Sequence, residues 1–404
     1  MNDEVTYHQL AVNLIEHSSF STAAAPPYYP TVWRVIGYPL FLAAVHTIFG
    51  DSLLAVRVLN FVFLWMTCVF LYLFVKRFFS TVVAFTSAIL CALYIPFVVL
   101  SFFQLTETIS TSLFVLIAYL ITKAPDIRKH KILFYLFIGA VNGILILVRP
   151  SMMIFPFLLI AAVLIQKGVN TNWIKAHLPL AGALLFGCLL TVSPWGIRNF
   201  ALTNQFFLGL GSGMSLYVSA LQYNQSPDGE KLDQTYARLK GSVEEQLKDS
   251  DKSEGEKLIL GEMMYDKLLR NAALEEFNKL SFAQIIKAVP GRFYNLWRVG
   301  DASGDSTFGN PDLQIKGLHT AAIAQYLLLA ALILTGIFVN RNRLRVNVFL
   351  LMFPLYLTFI HFIFHAETRY TMLGRPFLLV YAGVGIIFVY EITRRKISPP
   401  YVKV

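Results

Sequence analysis

The chain is short of charge. Only 14% of its 404 residues are Asp, Glu, Lys or Arg, against roughly 25% in an average soluble domain. Together with 56% hydrophobic residues and a mean hydropathy of +0.58, this excludes an ordinary soluble globular protein. Cysteine is nearly absent. Cys68, Cys91 and Cys188 all fall in apolar stretches, so there is no disulfide framework, CxxC redox pair or zinc spacing. They read as small buried hydrophobes. No GxGxxG or P-loop pattern is present, which argues against a nucleotide donor bound on the basic side of the chain. There is no internal repeat of fixed period and no low-complexity tract. No signal peptide opens the chain, because Met1 is followed at once by Asn2-Asp3-Glu4.

What the sequence does hold is a ladder of apolar segments near the length that crosses a bilayer, about 20 residues each. Nine spans are predicted, at 53–75, 81–103, 106–122, 132–148, 151–166, 177–197, 318–339, 346–364 and 372–392. The stretch 132–166 is interrupted by Arg149-Pro150, so it reads either as two spans or as a broken pair. Gly37–Gly50 is apolar but short and reads as an interfacial helix. The formal charge of +10 points at first to nucleic acid. Its location excludes that partner. Fifteen basic residues lie in one set of loop ends (Lys76 to Arg77, Lys123 to Lys131, Lys167 and Lys175, Arg341 to Arg345, Arg394 to Lys403), against two acids, Asp126 and Glu391. The positive-inside rule makes that side, and the C-terminus, cytoplasmic. Nine spans then put the N-terminus outside, which is best explained by a first span missing ahead of it.

Three regions follow: 1–200, an N-terminal membrane domain with its first external loop; 201–316, an extracytoplasmic helical region; and 317–404, the C-terminal membrane helices. The middle region holds 16 of the 24 acidic residues. Within it, 255–280 has helical periodicity with solvated charged faces, and 281–298 reads as a second helix interrupted or started near Pro290.

The remaining charges collect at the other ends of the spans, and each has a plain structural alternative. Asp3-Glu4, with Tyr7 and His8, opens an amphipathic stretch marked by Val5, Leu10 and Leu14. The acids either complement a helix dipole or supply a base for a hydroxyl. Glu107 is either a helix N-terminal charge or a functional boundary acid. Arg149, deep in an apolar run, needs an anionic partner or a wet cavity. That partner is either an acid such as Glu107 or the phosphate of a ligand. Trp195 is an ordinary belt anchor, whereas Arg198 either snorkels or binds phosphate. Glu367, Arg369 and Tyr370, beside His365, form the densest cluster. Glu367 and Arg369 either pair with each other alone, or Arg369 is a second phosphate ligand oriented by Glu367. Jointly, at least three arginines and three acids at one depth suit transfer from a phosphate-linked donor to a hydroxyl. Two other classes compete: a transporter or flippase for a lipid-linked or anionic solute, whose arginines would sit near the bilayer centre, and a receptor or assembly subunit, whose polar clusters would scatter.

The order of these stretches resembles the GT-C superfamily of membrane glycosyltransferases. It looks nearest to the lipid-carrier-dependent branch with protein O-mannosyltransferases and the lipid A aminoarabinose or galacturonic acid transferases. The matching stretches are Asp3-Glu4-x-x-Tyr7, Pro26-Pro27-x-x-Pro30, Gly37-Tyr38-Pro39-Leu40-Phe41, Leu54-Ala55-x-Arg57, Thr106-Glu107, Val148-Arg149-Pro150, Pro194-Trp195-x-x-Arg198-Asn199 and Glu367-x-Arg369-Tyr370. The resemblance implies an all-α polytopic fold, a GT-C-type transmembrane bundle with a small helical extracytoplasmic subdomain. It implies a cell-envelope enzyme of the bacterial inner membrane. That enzyme would use a polyprenyl-phosphate-linked hexose or pentose on the extracytoplasmic side, with inversion, to glycosylate a hydroxyl of lipid A, polysaccharide or protein. In that family the acid pair follows a first membrane helix directly, in keeping with a missing first span. By motif position Asp3 looks like the catalytic base with Glu4 beside it, and Glu107 matches the second external-loop acid. Arg149, Arg198 and Arg369 are taken for the carrier phosphate on charge and depth. No ligand spacing compels a cofactor, and a divalent metal is left open.

Overall fold

The computed structural model describes residues 3–167, 171–224, 229–299 and 317–394. Among them are sixteen α-helices and no strand. In chain order they are α1 (Asp3–Glu16), α2 (Gly37–Phe49), α3 (Leu53–Val75), α4 (Thr81–Ala92), α5 (Ile95–Leu100), α6 (Glu107–Lys123), α7 (Lys131–Val148), α8 (Phe155–Lys167), α9 (Thr171–Thr203), α10 (Ser212–Tyr223), α11 (Gly229–Lys248), α12 (Glu254–Asn278), α13 (Phe282–Trp297), α14 (Leu318–Val339), α15 (Leu344–Ile363) and α16 (Arg375–Thr393).

Among the described residues, seven segments are long and apolar enough to cross a membrane: Leu53–Val75, Glu107–Asp126, Lys131–Val148, His177–Thr203, Leu318–Val339, Leu344–Ile363 and Thr368–Thr393. Their outward residues, such as Leu54, Trp65, Leu190, Leu328 and Leu334, are exposed apolar side chains suited to lipid. Two of the nine expected spans are not single long helices. The stretch 81–103 divides into α4 and α5. At 1.5 Å per residue, the twelve residues of α4 reach about 18 Å, short of a hydrocarbon core of about 30 Å. Pro96 stands at the start of α5 and supplies no N–H. Backbone groups freed at the break need partners inside an apolar bundle. Gln325 of α14 provides both: its side-chain oxygen accepts from the Ile95 N–H at 2.9 Å and its amide donates to the Leu93 carbonyl at 2.7 Å. The stretch 151–166 is likewise divided, into a 3₁₀ turn over Pro150–Met152 and the thirteen-residue α8. Arg149, held extended ahead of Pro150, ends α7.

The core is aromatic. Phe353 and Phe377 stack at 4.1 Å between centroids, and Phe74 and Phe114 meet both of them edge-on. Such pairs add about 0.5–1.5 kcal/mol each beyond area burial. These rings join α3, α6, α15 and α16 into one body. Helices α7 and α9 pack backbone to backbone. A Cβ on Gly139 would run into the Leu184 carbonyl, and one on Gly187 into the Leu136 carbonyl. Gly139→Leu is therefore expected to force the pair apart, costing about 1–3 kcal/mol or more as an overpacked contact. A thermal melt in detergent unchanged from wild type would contradict the close approach.

In α1 the buried side is Thr6, Leu10, Ala11 and Asn13, while Val5 is 63% exposed. The apolar stripe expected through Val5 is thus rotated, because Asn13 turns inward to donate to the carbonyls of Ser21 and Ala23. Helices α10 to α13 lie beyond the site end of the bundle. Ser253 and Ser281 close capping boxes with Glu256 and Gln284, and Pro290 lies inside α13 without ending it. Of the expected region, 225–228 and 300–316 lie outside the described residues. The region boundaries at 200, 201, 316 and 317 remain the sequence-based division.

Candidate active site

The helix ends opposite the basic loops converge. Asp3 stands at the start of α1, Glu107 at the start of α6, Arg149 at the end of α7, and Glu367 to Tyr370 between α15 and α16. Asp3 is clamped by two guanidinium groups. Arg34 Nη2 donates to its Oδ1 at 2.6 Å, and Arg369 Nη1 donates to its Oδ2 at 2.8 Å. Arg369 also donates from Nε to Glu367 Oε2 at 3.0 Å. Deeper in, Arg149 Nη1 meets Glu107 Oε1 at 3.3 Å, with both side chains under a tenth exposed. Tyr370 joins the two groups, for the guanidinium of Arg149 lies 5.3 Å and that of Arg369 5.1 Å from its ring. Arg34 lies 5.5 Å from the ring of Tyr7, which packs edge-on against Tyr38 at 5.0 Å. Glu4 turns aside and accepts from the Gln104 N–H at 2.7 Å, tying α1 to the segment before α6.

Electrostatics follow from this geometry. Burial pushes the Asp3 carboxyl upward, but the charges and hydrogen bonds of Arg34 and Arg369 outweigh it and hold the group below its ordinary 3.8. The Tyr7 phenol is pushed up by burial. Glu107 keeps one oxygen, Oε2, buried and without a hydrogen-bond partner. Removing either member of the Glu107–Arg149 pair would strand the other at a cost of about 3–5 kcal/mol.

The sequence-predicted residues Asp3, Glu4, Tyr7, Glu107, Arg149, Glu367, Arg369 and Tyr370 therefore come to one end of the bundle. Arg198 does not join them. Its Nη1 donates to the Thr31 carbonyl at 2.8 Å and to Asn199 Oδ1 at 2.9 Å, and its guanidinium lies 4.6 Å from the Trp195 ring. Helix α9 carries Arg198 past that end and onto the loop before α2. Glu262 of α12 grips the same loop, accepting from the Thr31 hydroxyl and from the Val32 N–H at 2.8 Å. Arg198 and Glu262 hold the strand of chain that presents Arg34.

Arg34, Arg292 and Arg375 were not singled out as site residues by sequence. Arg34 sits among aromatic loop residues, 31 residues from Asp3 along the chain, and nothing in the local sequence marks it as that acid's partner. Arg292 of α13 is fully buried. It donates to the carbonyls of His361, Phe362 and Phe364 at 2.9, 3.1 and 2.6 Å, and to Ser219 of α10. Burial lowers its guanidinium to about 10. Gln222 of α10 exchanges two bonds with the backbone of Ala366. Arg375 donates to the Tyr94 hydroxyl at 2.8 Å and to the carbonyls of Trp297 and Arg298. The outer helices thus brace the short segment that carries Glu367 and Arg369.

A bundle of apolar helices thus carries a cup of arginines and acids at one end, beside the small helical group α10 to α13. Comparison with known proteins agrees with the motifs. Residues 34–197, about two fifths of the chain, match the family described as dolichyl-phosphate-mannose-protein mannosyltransferase. The fold is that of the archaeal oligosaccharyltransferase AglB from Archaeoglobus fulgidus in complex with an inhibitory peptide and a dolichol-phosphate. The TM-score is 0.55 at 14% identity, covering 98% of this chain and 47% of that one. The apo form of the Archaeoglobus enzyme gives the same score and identity over 98% and 48%. The chain thus spans about half the length of those solved proteins. ArnT from Cupriavidus metallidurans bound to undecaprenyl phosphate aligns over 99% of this chain and 77% of its own, at 12% identity and a TM-score of 0.40. No curated protein matches the chain by sequence.

Proposed function

We propose that the protein transfers a sugar from a polyprenyl-phosphate-sugar donor to a hydroxyl acceptor, with inversion, at the extracytoplasmic face of the membrane. The observation that carries this reading is the clamp on Asp3 by Arg34 and Arg369, set beside the Glu107–Arg149 pair. Its place at the helix ends opposite the basic loops supports the sidedness and speaks for transfer over transport through the bilayer centre.

The same geometry supplies a mechanism. A carboxylate that accepts from two guanidinium groups is a weak base. When the carrier phosphate enters, its oxygens compete for Arg34 and Arg369 as bidentate partners. As the arginines turn to the phosphate, Asp3 loses its stabilising partners and its basicity rises. The acceptor hydroxyl then gives its proton to Asp3 while its oxygen attacks the anomeric carbon. The bond from that carbon to the phosphate oxygen breaks, and polyprenyl monophosphate leaves as the dianion. Fixed guanidinium groups aimed at that developing charge lower the barrier. Arg149, paired with Glu107, stands behind them as the deeper cation.

The test is to incubate the full chain, in membranes, with radiolabelled polyprenyl-phosphate sugars and to follow the label. Label moving from the carrier to a hydroxyl product supports the reading. Label that crosses the membrane still on its carrier supports transport and overturns it.

Arg34→Gln adds a test of sign. Asp3 works as the ionised form, and two cations hold its titration below 3.8 against the upward push of burial. With Arg34 gone, burial acts against one cation only, so the carboxyl titrates at a higher pH. The acid limb of the kcat/KM profile is expected to move to higher pH in Arg34→Gln. A limb that stays in place, or moves down, argues that Asp3 is not the base.

A further inference from the structure

Outside the acid–arginine cup, a second cluster joins the far face of α1 to the turn between α2 and α3. His8 lies on α1, His46 on α2, and Asp51 follows that helix. One donor atom from each lies within 4.8 Å of the others. His8 Nε2 is 3.5 Å from Asp51 Oδ2, and His46 Nδ1 is 3.6 Å from Asp51 Oδ1. Each carboxylate oxygen thus faces a different imidazole. These separations exceed a direct N–H···O bond of about 2.7–3.2 Å. They match the roughly 3.3–3.5 Å between neighbouring ligand atoms on a tetrahedral ion with bonds of about 2.0–2.2 Å. His46 Nδ1 also lies 3.3 Å from the Gly50 carbonyl, in the same turn. The second ring nitrogens, His8 Nδ1 and His46 Nε2, are buried and make no hydrogen bond, so the contact of His46 Nδ1 with the Gly50 carbonyl is the one a metal would displace.

We infer that His8, His46 and Asp51 bind a divalent metal of the zinc class. Two neutral imidazoles and one carboxylate suit a borderline ion, and three protein ligands leave a fourth position for water. The side chain of Asp51 is 65% exposed and that of His46 only 4%, so the ion would sit at a wet rim against a dry wall. Its role is positional. It staples α1 to the α2–α3 turn one helical turn after Asp3 and Glu4, which fixes the rotation of α1 that brings Asp3 to Arg34 and Arg369. This inference does not rest on the transfer reading.

The test uses the full chain in detergent, stripped with a chelator and then given Zn2+ or Co2+ alone. Bound metal is read by mass spectrometry, coordination by the visible bands of Co2+, and stability by thermal melting. One equivalent bound, tetrahedral Co2+ bands and a melting temperature raised by Zn2+ are expected. His46→Gln and Asp51→Asn are each expected to weaken Co2+ binding at least about tenfold and to abolish the Zn2+-dependent rise. The half-exposed His8→Gln serves should either of those fail to fold. Wild-type protein that takes up no metal overturns the inference, as does a His8→Gln, His46→Gln double variant that takes up as much as wild type.

Discussion

Asp3→Asn is expected to lower sugar transfer by about 10²–10⁴-fold, the range of a positioned general base, while donor binding changes only a few-fold. The amide keeps the shape of the side chain and can still accept from one guanidinium, so α1 stays docked through Leu10, Ala11 and Asn13. What it loses is the site for the acceptor proton. Transfer is measured as label leaving the carrier in reconstituted membranes, and binding as retention of labelled donor. A variant that transfers at the wild-type rate ends the assignment of Asp3. One that fails to bind donor at all moves Asp3 from chemistry to structure.

Arg369→Gln carries the second large effect, because that one guanidinium serves two acids. Its Nη1 holds Asp3 and its Nε holds Glu367. The variant leaves Glu367 without its guanidinium and Asp3 with Arg34 alone. These pairs are partly buried, so breaking them costs less than the roughly 3–5 kcal/mol of a fully buried pair, read as a lower melting temperature. Loss of a group aimed at the leaving phosphate is expected to cost a further 10²–10³-fold in kcat, approximately the worth of one fixed donor. Arg369→Lys separates the two effects. An ammonium keeps the charge but not the planar fork, so stability recovers more than turnover does. Equal recovery of both, or full activity in Arg369→Gln, would remove Arg369 from the chemistry.

Much of this arrangement was legible because charge is conspicuous in an apolar chain. Glu107, Arg149, Glu367 and Arg369 stand out against hydrophobic neighbours, and each turned out to have the opposite charge as a partner. The Glu107–Arg149 and Glu367–Arg369 pairs stood among the readings the sequence offered, whereas the contact of Asp3 with Arg369, 366 residues away, did not. Arg34 escaped notice because a loop arginine among tryptophan and tyrosine looks like an interfacial anchor. Arg198 was misplaced for a related reason: a charge at a helix end says where the helix stops and not which way the side chain reaches. The break in 81–103 was hidden because the partner of its freed backbone groups, Gln325, lies more than 200 residues away.

The spacing of the ion pairs bears on how the cup is closed. Asp3 finds Arg34 only 31 residues further along the chain. Glu107 waits 42 residues for Arg149, and Glu367 is followed almost at once by Arg369. Each of these acids therefore has a counterion close to it along the chain, and the link from Arg369 back to Asp3 is the long one, at 366 residues. Each local pair sets an acid beside a base, and the bridge from Arg369 to Asp3 closes the cup by tying the segment ahead of α16 to the start of α1.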